Sequence, residues 1–177
     1  MKQINPPATP LAVQALQFIP RLRRYARALT GDAAAADDLV QDTLERALLK
    51  QALWREGSDL RAWLFTVMHN VFINQVRGVA ASRTVPLDEA LIQTRAGAAQ
   101  AGDRLESRDL DAALQALPDE QRSVVLLVGM EQLSYDEAAR VLEVPIGTVM
   151  SRLSRGRERL RRLMQGEPPV QPLKVVK

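Results

Sequence analysis

The sequence predicts an all-α protein: two small helical units joined by a flexible linker. Hydrophobic residues make up 46 % of the 177 positions but aromatics only 4 %, so the apolar content is mainly Ala and Leu. Both are strong helix formers. Apolar residues recur at i, i+3, i+4 and i+7 in two separate blocks, the period of one helix face. Between the blocks, from Val79 to about Asp103, that period decays into Ala, Gly and Gln, which reads as a linker.

Residues 1–10 carry three prolines and read as a loose leader. The first helix is expected from about Phe18 to Leu29, with Pro20 acceptable in its first turn. Leu22, Tyr25, Ala26 and Leu29 form its apolar stripe, which leaves Arg21, Arg23, Arg24 and Arg27 mostly to solvent. Thr30-Gly31 ends it, and Asp32 can cap the next. That second helix, about Ala33 to Leu49, sets Leu39, Val40, Thr43, Leu44, Ala47 and Leu48 on one face. Asp38, Gln41, Asp42 and Glu45 share the other. After the loop Trp54–Ser58, Ser58 or Asp59 caps a third helix reaching about Arg77, with Gly78 as its stop. Leu60, Leu64, Val67, Met68 and Val71 form its core stripe. These helices make one compact unit over 11–79, followed by a linker over 80–104.

Periodicity returns at Leu105–Leu117, and Pro118 breaks it. Asp119 is expected to cap a helix over Gln121 to Met130. A helix-turn-helix follows in 134–162. Ala138, Ala139 and Leu142 supply a small packing surface on its first helix, and Pro145 suits the first turn of its second. This second unit covers 105–165, and the proline-rich tail 166–177 is expected to be disordered.

The last helix carries the main functional signal. Val149, Leu153, Gly156, Leu160 and Leu163 line one side, while Thr148, Ser151, Arg152 and Arg155 line the other. Short polar groups and arginines suit base edges and phosphates. Arg157, Arg159, Arg161 and Arg162 extend the charge, as phosphate anchoring needs. Six arginines against one acid, Glu158, exceed what a helix dipole needs. Charge is segregated along the chain, for 32–45 holds five acids and no base. One end suits DNA, the other a basic protein.

Other classes lack support. No cysteine and one histidine, His69, leave no basis for thiolate chemistry, a His-based metal site or a serine-type triad. No Gly-rich phosphate loop is present, so neither an enzyme nor a cofactor is expected. The N-terminus lacks the apolar core of a signal peptide, and the longest apolar runs fall far short of a membrane span. A cytoplasmic protein without membrane insertion is expected.

Four segments resemble the extracytoplasmic-function (ECF) type of bacterial RNA polymerase sigma factor, in the sigma-70 family. YDEAARVLEVPIGTVMSRLSRGRERL resembles region 4.2, and ALPDEQRSVVLLVGMEQLSYDEAA the approach to it. ADDLVQDTLERAL resembles region 2.2, and DLRAWLFTVMHNVFINQVR regions 2.3 and 2.4. PRLRRYARALTGD is also similar to some stress-response members. The resemblance covers about residues 14 to 164 and implies a sigma-2-like and a sigma-4-like domain. It implies that Asp38, Gln41, Asp42 and Glu45 grip the coiled coil of the largest-subunit clamp of core RNA polymerase, as an acidic face suits a basic helix. It implies that Trp54, Arg55, Ser58, His69, Asn70, Asn74 and Arg77 face the −10 element, where an unstacked base is held. On this reading Thr148, Ser151, Arg152, Arg155, Arg157 and Arg159 serve the −35 element, and the flap region of polymerase and an anti-sigma factor are further partners. The linker would lie in the polymerase channels.

Taken singly, some residues have plainer readings. Trp54 can equally plug the three-helix core, Trp63 reads as core, and His69 as a polar surface residue. Glu143 stands where helix-turn-helix units often place glycine. A left-handed residue there costs about 1 kcal/mol, so either the turn is reshaped or the cost is tolerated. The competing function is a stand-alone helix-turn-helix regulator whose first half senses a ligand or dimerises.

Overall fold

The computed structural model describes residues 10–55, 57–82 and 104–165. The expected leader, most of the expected linker and the expected tail lie outside these residues. Among the described residues there are helices and no strand: α1 (Leu11–Leu16), α2 (Ile19–Thr30), α3 (Ala33–Leu49), α4 (Leu60–Ser82), α5 (Arg104–Gln115), α6 (Asp119–Val125), α7 (Tyr135–Leu142) and α8 (Ile146–Met164). A 3₁₀ turn, Gln51–Leu53, follows α3, and α6 widens into a π-helical turn, Leu126–Met130.

Four boundaries differ from expectation. α1 was not expected, because six residues are too few to display a period. Pro10 starts it, and Leu11 and Ala15 are buried. Gly78 does not stop the third helix. It lacks the left-handed backbone of a helix-ending glycine, and α4 runs past it to Ser82. A glycine inside a helix costs only about 0.5–1 kcal/mol. Pro118, not Asp119, occupies the cap of α6, and Asp119 instead sits in the first turn, 3.2 Å from Arg122. Pro145 likewise takes the cap position of α8 rather than its first turn.

The stripe on α2 is fully buried, and Tyr25 meets Phe65 of α4 edge to face at 5.2 Å and 73°. Phe65 and Phe72 join the expected α4 stripe in the core, and Trp63 packs against it as expected. α8 closes on α6 at Gly156, where an added Cβ would lie 2.8 Å from Val125 Cγ2.

The two units pack against each other. α2 lies on α5, α6 and the π turn, and α4 lies on α7, so one apolar core runs through both. Arg122 ties the junction. Its guanidinium donates to the carbonyls of Leu114, Leu117 and Gln115 at the end of α5, and to that of Leu29 on α2 at 2.7 Å. Gln115 donates to the Ala28 carbonyl at 2.8 Å. Gly31 permits this approach. It caps α2 at φ 73°, and an added Cβ would sit 2.6 Å from Gln115 Cδ. Gly31→Ala should therefore cost about 1–3 kcal/mol, combining left-handed strain with overpacking. Thermal denaturation reads it, and an unchanged midpoint would contradict the packing.

Candidate polymerase and promoter interfaces

The acidic face is set by α3. Asp32 caps this helix, accepting from the Ala35 N–H at 2.9 Å. Leu39, Val40, Thr43 and Ala47 are buried, and Thr43 donates its hydroxyl to the Leu39 carbonyl. The opposite side then points Asp38, Gln41 and Glu45 into solvent. Gln41 donates to Glu45 at 3.0 Å, and Gln75 of α4 donates to half-buried Asp42 at 2.9 Å. Leu48, expected on the core face, is 43 % exposed. It lies past the reach of the core and, with exposed Leu49 and Leu53, makes an apolar margin beside the acids.

The candidate −10 residues divide between a loop and α4. Arg55 and Ser58 are exposed, and the Ser58 hydroxyl closes the loop by donating to the Arg55 carbonyl at 2.7 Å. Trp54 is half-buried against the core, with its indole N–H enclosed and unpartnered. Asn70, Asn74 and Arg77 lie at i, i+4 and i+7 on α4 and are exposed. His69 corrects its surface reading: it is half-buried, and its Nδ1 is buried without a partner. Burial is the main force pushing its pKa down to about 4, Arg152 adds to the effect, and Glu143 opposes it.

The helix-turn-helix is locally well specified. Ser134 accepts from the Glu137 N–H at 3.2 Å, and the Glu137 carboxylate accepts from the Ser134 N–H at 2.7 Å. This capping box fixes the start of α7, and the Ser134 N–H holds the Glu137 carboxyl below its usual range. Glu143 ends α7 in the left-handed region, φ 54° and ψ 42°. The turn keeps the usual shape and the chain tolerates its cost. On α8, Val149, Leu153 and Gly156 are buried, and Leu160 and Leu163 pack beside them. Ser151, Arg155 and Arg157 face solvent, while Thr148 and Arg159 are half-buried. Arg152 is drawn back onto its own unit, where it pairs with Glu120 of α6 at 2.7 Å and is 24 % exposed.

One group of residues gave no signal in the sequence. Glu131 follows the π turn and is 0 % exposed. It accepts from Arg21 Nε at 3.0 Å and Arg24 Nη2 at 2.9 Å, two arginines expected in solvent. Their partner lies more than a hundred residues away, so no local pattern points to it.

His69 makes the junction sensitive to pH. Packing keeps it neutral, so the packed form binds fewer protons than the separated or unfolded form. Its stabilising share is complete above the ordinary value of about 6.5 and is lost as pH falls from there toward 4. It is also the one histidine in the chain, so no other side chain ordinarily titrates near pH 6. The unfolding free energy should fall between pH 7 and pH 5, by up to about 1.4 kcal/mol per pH unit, as denaturant titrations at each pH would read. His69→Phe should flatten that slope, and an unaltered slope would assign it elsewhere.

Comparison with known proteins bears on the whole arrangement. Residues 16–69 match the family described as the Sigma2 domain of PhyR, and residues 107–160 match Sigma-70, region 4. The ECF RNA polymerase sigma factor EcfG of Rhodopseudomonas palustris (strain TIE-1) is 38 % identical over 149 residues, which cover 84 % of this chain and 82 % of that protein. The RNA polymerase sigma factor YlaC of Bacillus subtilis is 31 % identical over 84 % of this chain and 88 % of its own. Among solved structures, the sigma factor RpoE of Bartonella quintana, in complex with the anti-sigma factor NepR, is similar with a TM-score of 0.68. It is 35 % identical and covers 88 % of this chain and 97 % of that one. Both helical units fall inside these matches, which disfavours the stand-alone regulator. A sigma-2-like unit and a sigma-4-like unit in this order, with relatives matched over most of their length, place the chain in the ECF family of RNA polymerase sigma factors.

Proposed function

We propose that this chain binds core RNA polymerase through α3, carries it to promoters and helps to open the −10 region. The carrying observation is the separation of two surfaces onto two units of one chain. An outward acidic face, Asp38, Gln41, Asp42 and Glu45, sits on the first unit, and an arginine-rich recognition helix on the second. The acidic face suits a basic helical partner such as the clamp coiled coil, and complementary charge speeds encounter. Ser151 and Arg155 face outward to read the −35 groove, with Thr148 beside them and Arg157 and Arg159 for phosphates. Arg55, Ser58, Asn70, Asn74 and Arg77 supply donors for the −10 strand, half-buried Trp54 lies beside the loop to stack on a base, and His69 joins them once the interface loosens. The role is that of a non-catalytic initiation factor acting in the cytoplasm. Among the described residues no helix is long and apolar enough to cross a membrane.

An anti-sigma partner of the NepR kind fits, since the RpoE structure pairs a relative with one. The flap region of polymerase is a further partner for the second unit.

Co-elution with core RNA polymerase on a sizing column, followed by transcription from a promoter library, tests this reading. The expected result is a stable complex and new start sites sharing −35 and −10 sequences. Folded, inhibitor-free protein that does not co-elute would overturn it. Arg152 joins the base-reading set when it leaves Glu120 for the groove, so in the same assay Arg152→Ala should weaken promoter binding by about 1–3 kcal/mol and relax the −35 preference. Unchanged affinity and preference would remove Arg152 from the base-reading set.

A further inference from the structure

The two DNA-facing surfaces are not both open in this arrangement. α7 lies on α4. At its C-terminal end, Glu143 accepts from Asn70 Nδ2 at 3.4 Å, and neighbouring His69 is half-buried with its Nδ1 enclosed. At its N-terminal end, Glu137 lies 3.7 Å from Arg61 of α4. Asn70 and His69 belong to the proposed −10 surface, so the second unit stands partly over the surface the first would offer to DNA.

Glu131 is the strongest link. Its carboxylate is wholly removed from water and held by Arg21 and Arg24 of the first unit. Arg21 and Arg61 also donate to its carbonyl, at 3.4 and 3.5 Å. A carboxylate this desolvated is tolerated only with charged donors in place. When the units part, all three arginines and the glutamate regain water. Glu143 adds a second link. Glycine would hold its left-handed turn with less strain, and what glutamate adds is a carboxylate within reach of Asn70.

Distance makes parting necessary. Elements centred at −35 and −10 lie about 25 base pairs apart, roughly 85 Å along a duplex at about 3.4 Å per pair. A packed chain of this size is only about 40 Å across. Between Ser82 and Arg104 the chain has 21 residues, a reach of up to about 70 Å.

We propose that the packing of the second unit on the first is a self-inhibitory contact, latched by Glu131 on Arg21 and Arg24 and tightened by Glu143 over the −10 surface of α4. The inhibitory part rests on the function proposed above; the latch itself does not.

The absence of cysteine makes the test direct. Lys50→Cys and Ser154→Cys place one label at an exposed position on each unit, and pulsed electron–electron resonance reads the distance between them in the full chain. Unaltered at 131, the protein should show one short, narrow distance. Glu131→Gln should add a longer, broader population, raising the open fraction at least about tenfold for the two lost charged pairs, and should speed association with core polymerase by a similar factor. Arg21→Gln with Arg24→Gln cuts the same pairs from the other side and should match it, which covers the case that Glu131→Gln misfolds. Glu143→Gly should open the contact while raising the stability of the turn.

A long, broad distance in the parent protein would overturn the proposal. So would a Glu131→Gln protein, folded by circular dichroism, that stays as closed as the parent. Opening without faster association would overturn the inhibitory role and leave a merely structural contact. If no version, parent included, binds core polymerase, the proposed function fails and the inhibitory role with it, while the distances still decide the latch.

Discussion

Arg122→Ala should lower the stability of the chain by about 3–5 kcal/mol, as several buried carbonyls lose their donor at about 1–3 kcal/mol each. The guanidinium is almost wholly buried and gives its protons to four backbone carbonyls: Leu114, Gln115, Leu117 and Leu29. Leu114 and Gln115 end α5, Leu117 lies just beyond it, and Leu29 lies near the end of α2. The last carbonyls of a helix have no partner inside it, and here one side chain satisfies both helix ends at once. Alanine removes the donor from all four; the Leu114 carbonyl keeps the Leu117 N–H at 3.1 Å, and the carbonyls of Gln115, Leu117 and Leu29 become desolvated acceptors without this donor. Lysine keeps the charge but not the planar fork, so Arg122→Lys should recover only part of the loss. Thermal denaturation with both variants decides it. A midpoint for Arg122→Ala within a degree of the parent would mean that these carbonyls find water and that the junction is looser than described.

Reversing Asp38 and Asp42 together to lysine should weaken core polymerase binding on the order of 100-fold, about 3 kcal/mol, without unfolding the protein. Asp38 is exposed, and Asp42, though half-buried, holds only an exposed hydrogen bond from Gln75. Neither touches the core, so their substitution stays within the small stability changes typical of surface sites. At a basic partner the same change turns attraction into repulsion. Filtration with core polymerase reads binding, and circular dichroism reads folding. Retained binding by the folded double variant would remove α3 as the polymerase-facing surface. Loss of folding would show that Asp42 and Gln75 brace α3 against α4.

Much of the fold was legible in the sequence because most of it is local. The stripe Leu22, Tyr25, Ala26, Leu29 is buried as its spacing predicts. α3 runs over the expected residues with Asp32 as its cap, and the helix-turn-helix falls within 134–162 as expected. Each depends on neighbours three or four positions apart, whose meeting the helix geometry guarantees. Where local signals misled, the reason was also physical. Gly78 resembles a stop but lies within a helix that tolerates it, and Asp119 yielded the cap to a proline with a pre-set backbone angle.

By itself, then, the sequence determined the longer helices, their buried stripes, the acidic face of α3 and the basic face of α8. Only the tertiary structure decided how the two units sit on each other. Glu131 reads as one acid after an apolar run, and Arg21 and Arg24 as solvated charges. Their pairing spans more than a hundred residues. The turn at Glu143 reads as a departure from glycine until Asn70 is found 3.4 Å away, and His69 reads as a surface residue until α7 is placed beside α4. Periodicity reports which face of a helix is buried but carries no information about what buries it. Contacts between distant segments depend on the packing of the whole chain, and there the proposed control of this sigma factor lies.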